Sequence, residues 1–215
     1  MKSLVVRTLS DQLVDLVRDR ILAGVAAVDQ PIRQDSLAAE LGVSKIPLRE
    51  ALARLEQEGL VRSQANRGFF VRPLNADEAE EVFMLRLQLE PVTVALAAQR
   101  ADDGEREQAS ATFAMTNTNG DRIGAFNRAF HIALIRPSRH PITTNILERL
   151  HVMGDRYVRK HLEPLGRDGR ANDEHRDILD AWLARDTERV SALTRAHINQ
   201  TLDDLRRQLA AAPSA

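Results

Sequence analysis

The sequence predicts a mostly α-helical protein in two parts. Residues 1–74 should form a small unit of three helices closed by a β-hairpin, and residues 75–215 an all-α bundle of six helices. Three observations carry this. Apolar residues recur at helical spacing along most of the chain. A short glycine-containing turn, Gly42-Val43-Ser44, separates two early helical patterns, and two short β-type runs follow it. After residue 74, helical patterns succeed one another with no strand pattern between them.

Leu9, Leu13, Leu16, Val17 and Ile21 predict an amphipathic helix over 8–23, ended by Gly24. A second helix, over 34–41, turns Leu37, Ala38 and Leu41 inward. Gly42 then relieves a tight turn, Val43 packs beneath it and Ser44 suits an N-cap. The third helix, over 45–58, has Leu48, Leu52 and Leu55 as its inner stripe. Its Pro47 lies in the first turn, where proline is tolerated, and Gly59 ends it. Residues 60–63 and 69–72 read as strands around a turn at 64–68. Two short helices joined by such a turn make a helix-turn-helix, and the hairpin is its wing.

In a winged helix-turn-helix the third helix is the one that meets base edges, through its N-terminal residues. Ser44, Lys45 and Arg49 lie there, Lys45 and Arg49 one turn apart on one exposed face. Arginine can grip guanine in a bidentate way, while lysine and a serine hydroxyl can hold bases or phosphate. Arg67 and Gly68, at the wing tip, suit the minor groove. The competing reading makes these residues ordinary solvated charges.

Composition sets the outer bounds. The chain of 215 residues has no cysteine, which excludes disulfides and thiolate metal sites and fits a reducing compartment. The N-terminal stretch mixes acidic with apolar residues and has no continuous apolar core, so it does not read as a signal peptide. No run approaches the ~18 apolar residues of a membrane span. These features predict a cytoplasmic protein without a membrane partner. The net charge of −1 by itself argues weakly against a nucleic-acid partner, so the case for DNA rests on pattern.

Residues 8–74 also resemble the winged helix of the GntR family of bacterial regulators. The run LAAELGVSKIPLREALARLEQEGLV, followed by RGFFV, carries the resemblance. It implies operator contact by Ser44, Lys45, Arg49, Arg67 and Gly68, and adds Arg33, near the start of the second helix.

The remaining helices are expected over 76–100, 104–118, 120–136, 142–163, 173–185 and 187–210, with a kink or break at Pro91 and a frayed tail after residue 209. In the third of these, Ile123, Phe126, Phe130, Leu134 and Ile135 form the inner face, which Asn127 and His131 share. His175 shares a face with Ile178, Leu179 and Trp182, and His197 with Val190, Leu193 and Leu205. Three helices thus each turn one histidine inward. Imidazole is a common metal ligand, so one shared ion would satisfy all three; three separately hydrogen-bonded core histidines would do so as well. His140 reads as a loop residue, and His151 and His161 as surface residues.

NRAFHIAL, EHRDILDAWLARDTERV, RAHI and RLQLEPVTVALAA resemble the helical, FCD-type effector domain of the FadR subfamily within GntR, in its six-helix variety named after VanR. That resemblance implies a homodimer and a divalent metal (zinc, nickel or manganese) on Asn127, His131, His175 and His197, with Asn127 standing where many members have Asp. It also implies a small organic acid as effector, which Arg86 could meet; the other reading of Arg86 is a surface pair with Glu90. The expected function is a ligand-responsive transcription regulator on a pseudopalindromic operator in double-stranded DNA. Three alternatives stand beside it. They are a regulator for which the metal is itself the signal, a DNA-binding architectural protein without a ligand, and a metal-dependent hydrolase in which three histidines activate water.

Overall fold

The computed structural model describes residues 8–24, 30–116, 123–161 and 167–211, and the chain divides into two compact units, Met1–Pro73 and Leu74–Ala215. The first unit contains α1 (Leu9–Leu22), α2 (Gln34–Glu40), α3 (Lys45–Gln57), β1 (Val61–Gln64) and β2 (Gly68–Val71). Thr8 caps α1: its side chain accepts from the Asp11 N–H while the Asp11 carboxylate accepts from the Thr8 N–H.

The buried stripe of α1 is Leu13, Val14, Val17, Ile21 and Leu22. Leu9 and Leu16 belong to the predicted stripe but stand exposed; α1 is rolled so that Val14 takes the place given to them. Leu48, Ala51, Leu52 and Leu55 of α3 are wholly buried and form the centre of this unit. Ion pairs at the rim, Arg18 with Glu58 and Arg54 with Asp11, join α1 to α3. Gly42 sits at φ 66°, a left-handed conformation that permits the abrupt turn from α2 to α3.

The hairpin is antiparallel, with Val61 opposite Val71 and Gln64 opposite Gly68. Pro31 bridges to Phe70, and the Ile32 N–H donates to the Phe69 carbonyl at 2.7 Å, so the segment before α2 lines the wing's second strand.

The second unit contains α4 (Ala76–Arg100), α5 (Asp103–Thr116), α6 (Ile123–Ile135), a 3₁₀ turn (Arg136–Ser138), α7 (Pro141–His161), α8 (Arg167–Leu183) and α9 (Thr187–Ala211). Asn75 caps α4, accepting from the N–H groups of Asp77 and Glu78. α8 starts six residues earlier than its periodicity suggests, because its first turns carry the polar run Arg167–Asp173. The predicted helical residues 117–118, 120–122 and 162–163, the residues after 211, and the side chains of Ile123 and His161 lie outside the described part.

Pro91 does not break α4, which runs through it. A proline at this position leaves the carbonyl four residues earlier, that of Leu87, without its helical donor. Arg195 of α9 lies over that carbonyl, its Nη1 3.4 Å from the oxygen. The core is built on Phe83, Phe130, Leu134, Ile135, Leu147, Tyr157 and Trp182, all with essentially no exposed surface. No described helix is long and apolar enough to cross a membrane.

Candidate functional site

α6, α8 and α9 bring His131, His175 and His197 together. Their exposures are 5%, 2% and 8%, and their potential ligand atoms lie within 4.8 Å of one another. The Nε2 atoms of His175 and His197 are 3.3 Å apart. Two nitrogens bound at ~2.1 Å to one ion stand roughly 3–3.4 Å apart, so this spacing fits a shared metal.

Two of the rings are aimed from behind. Nδ1 of His197 lies 2.6 Å from Glu174 Oε2, and Nδ1 of His131 lies 3.5 Å from Glu90 Oε1. Each carboxylate engages Nδ1 and leaves Nε2 for the interior of the cluster, the arrangement that orients metal-binding imidazoles. Glu174, next to His175 in the chain, thus serves the histidine of the neighbouring helix.

Asn127 stands one turn before His131. Its Oδ1 is buried and has no hydrogen-bond partner. A buried carbonyl oxygen left this way is costly unless something electropositive meets it, which again fits a cation. Burial lowers the pKa of His131 and of His197 to about 4 against the opposing pull of their carboxylates, so both rings are neutral near pH 7. Neutral imidazole is the form that binds metal.

A second layer lies behind His131. Glu90 is wholly buried and accepts from Arg86 Nε at 2.8 Å. His151 Nε2 stands 3.1 Å from the other carboxylate oxygen. Burial pushes the Glu90 carboxyl up, but Arg86, His151 and His131 together outweigh it and hold the group well below its usual range. Burial and the Arg86 charge lower the His151 pKa. Glu90, His131 and His151 could be taken for a metal site of their own. The guanidinium of Arg86 on the same carboxylate argues against a cation there, and Glu90 is better read as the support of His131.

Two expectations change here. Arg86 and Glu90 do pair, but in the interior rather than on the surface: Arg86 is 6% exposed. His151 is no surface residue; it is 5% exposed. The signal was present, since His151 follows Leu147 by one helical turn and both are buried. Glu90 offered a weaker one, its place one turn after Arg86. His140 is exposed in the connection before α7.

In the first unit, Ser44 occupies the N-cap position of α3, yet its side chain makes no capping hydrogen bond. Lys45 pairs with Asp35 and is more than half exposed. Arg49 is exposed one turn further on. Arg67 lies in the exposed turn of the wing, with its guanidinium 5.6 Å from the centre of the Phe70 ring. Gly68 has φ 86°, a conformation that disfavours any side chain, and a Cβ there would meet Gln34 Nε2 at 3.2 Å. Arg33 is exposed at the N-cap position of α2. The unit therefore presents all six residues named from the sequence at or near its surface.

Comparison with known proteins agrees with both halves. Residues 9–71 match the family described as "Bacterial regulatory proteins, gntR family", and residues 81–200 match the FCD domain. The chain is 31% identical to the Nta operon transcriptional regulator of Aminobacter aminovorans, over 81% of this chain and 83% of that protein. It is 28% identical to the HTH-type transcriptional regulator YdhC of Bacillus subtilis, over 92% and 91%. Among solved structures, E. coli McbR/YncC shares the fold with a TM-score of 0.78 at 23% identity, covering 95% of this chain and 100% of that one. This chain belongs to the GntR family, with an FCD domain after its winged helix, and is a DNA-binding transcription regulator rather than an enzyme.

Proposed function

We propose that this regulator is ligand-responsive: its helical domain, residues 75–215, takes a small organic acid beside a divalent metal, and its winged helix, residues 1–74, changes operator affinity in response. Asn127, His131, His175 and His197 would hold the metal, and the metal would supply open positions for the acid's oxygens. The observation that carries this reading is the convergence of three buried histidines, two of them backed by carboxylates on Nδ1.

Charge supports an anionic effector. Asn127 carries no charge, burial keeps His131 and His197 neutral, and Glu90 is already matched by Arg86. A divalent ion here would bring positive charge into a buried place, which an anion would offset. Arg86 would reach such an anion only by releasing part of its hold on Glu90. The protein would act as a homodimer through its helical domain, with two α3 helices in successive major grooves of a pseudopalindrome. Ser44, Lys45 and Arg49 would meet the major groove, Arg67 and Gly68 the minor groove, and Arg33 the phosphates. The coupling between the sites would be typically ~1–3 kcal/mol.

One observation favours a second reading, in which the metal is itself the signal: Arg86 already has its carboxylate in Glu90. Elemental analysis of protein purified without chelator, beside His175→Ala, tests the site. About one metal per chain, lost in the variant, is the expected outcome; no metal after dialysis against zinc, nickel or manganese would defeat it. Operator binding is then measured with chelator alone and with carboxylic acids added to the metal-loaded protein. A response to chelation without any response to acids would favour the second reading.

A further inference from the structure

We infer that Ile46 reads the 5-methyl group of a thymine in the operator. Its side chain is 72% exposed, against 52% and 45% for Leu9 and Leu16, the other exposed large apolar residues described in the first unit. A single exposed isoleucine is ordinary on a protein surface. The position of this one is what matters. It is the second residue of α3, between Lys45 and Pro47, and it lies away from the buried stripe of Leu48, Ala51, Leu52 and Leu55. Arg49, also exposed, follows it by one turn. Its neighbours on the exposed end of the helix, Ser44, Lys45 and Arg49, are all hydrogen-bonding residues, and Ile46 alone among them offers no hydrogen bond.

The major groove supplies the matching chemistry. Donors and acceptors line the edges of the base pairs, and the thymine methyl is the apolar feature among them. An isoleucine at the reading end of the helix gains by burial only where that methyl is present. Against the polar edge of another base it would cover a donor or acceptor without replacing its bond to water. Membership of the family supplies DNA binding; the exposed isoleucine adds a preference for one base.

The test uses the full chain. A binding sequence is selected from a pool of random duplex DNA, and each thymine in it is replaced singly by deoxyuridine, which removes only the methyl. Affinities are compared for the natural protein, Ile46→Val and Ile46→Ser. The natural protein should lose about fourfold at one thymine position, the worth of one buried methyl group. Ile46→Val should keep that sensitivity and Ile46→Ser should lose it. All three should melt at the same temperature, because the side chain packs against little. Indifference of the natural protein to every replacement, full retention of the sensitivity in Ile46→Ser, or a selection that yields no shared sequence would each overturn the assignment.

Discussion

The two units place their polar side chains in opposite ways. Among its described residues the first encloses an apolar centre, with Leu48, Leu52, Leu55 and Leu60 at 0% exposure, and carries Ser44, Lys45, Arg49 and Arg67 outside it. The second buries Arg86, Glu90, His131, His151, Asp155, His175 and His197. If these residues read DNA as proposed, they gain their energy when DNA arrives and need little from the fold. A buried polar cluster must be satisfied from within, and each member commits another. His131 needs Glu90, Glu90 needs Arg86, and Asp155 sits against Arg128 at 2.7 Å and Arg159 at 3.4 Å. Damage to these exposed residues should therefore appear in binding, and damage to the buried cluster in stability.

The largest effect expected from this contrast for any one side chain is at Glu90. Glu90→Ala strands the Arg86 charge in the interior and should cost about 3–5 kcal/mol in urea unfolding. A loss below ~1 kcal/mol would mean that the interior tolerates a lone guanidinium and would erase the contrast. Acid comes next. The folded His131 and His197 have pKa values of about 4 against an ordinary 6.5, so the unfolded chain binds more protons between those values. Their contribution is complete above about pH 6.5 and drains away as pH falls towards 4, at most about 3 kcal/mol for each ring. Metal-free protein followed by urea unfolding from pH 7.5 to 4.5 should weaken accordingly, and a flat profile would show that burial does not hold these rings neutral. The smallest effect is at the proposed reading surface. Arg49→Ala should weaken operator binding by ~1–3 kcal/mol and relax one or two base preferences while leaving the melting temperature unchanged. Unchanged affinity would remove Arg49 from the reading surface, and a lowered melting temperature would remove it from the exposed side of the contrast.

The same difference explains what could be read in advance. The winged helix was legible because its devices are local: a glycine turn, a proline in a first turn, a hairpin with glycine at its tip. The roll of α1 was not, since Leu9 and Val14 are equally apolar and only packing against α3 chooses between them. In the second unit, His131, His175 and His197 could be found because each lies on a strongly apolar face. Glu90 could not be ranked as buried from sequence, because a carboxylate at zero exposure is tolerable only with Arg86, His131 and His151 around it, and the last two come from other helices. His151 was passed over although Leu147, one turn earlier, marked its face.

Pro91 has a mechanical consequence. A helix with all its amide donors closes its own carbonyls and can slide past a neighbour at little electrostatic cost. α4 cannot do so at Leu87, whose oxygen faces Arg195 of α9. The missing donor acts as a rivet hole, one residue from Arg86, and the side chain that fills it stands two residues from His197. The two helices that carry the support of the histidine cluster and one of its members are pinned in register at that point, so a displacement of His197 along the axis of α9 would strain the middle of α4 as well.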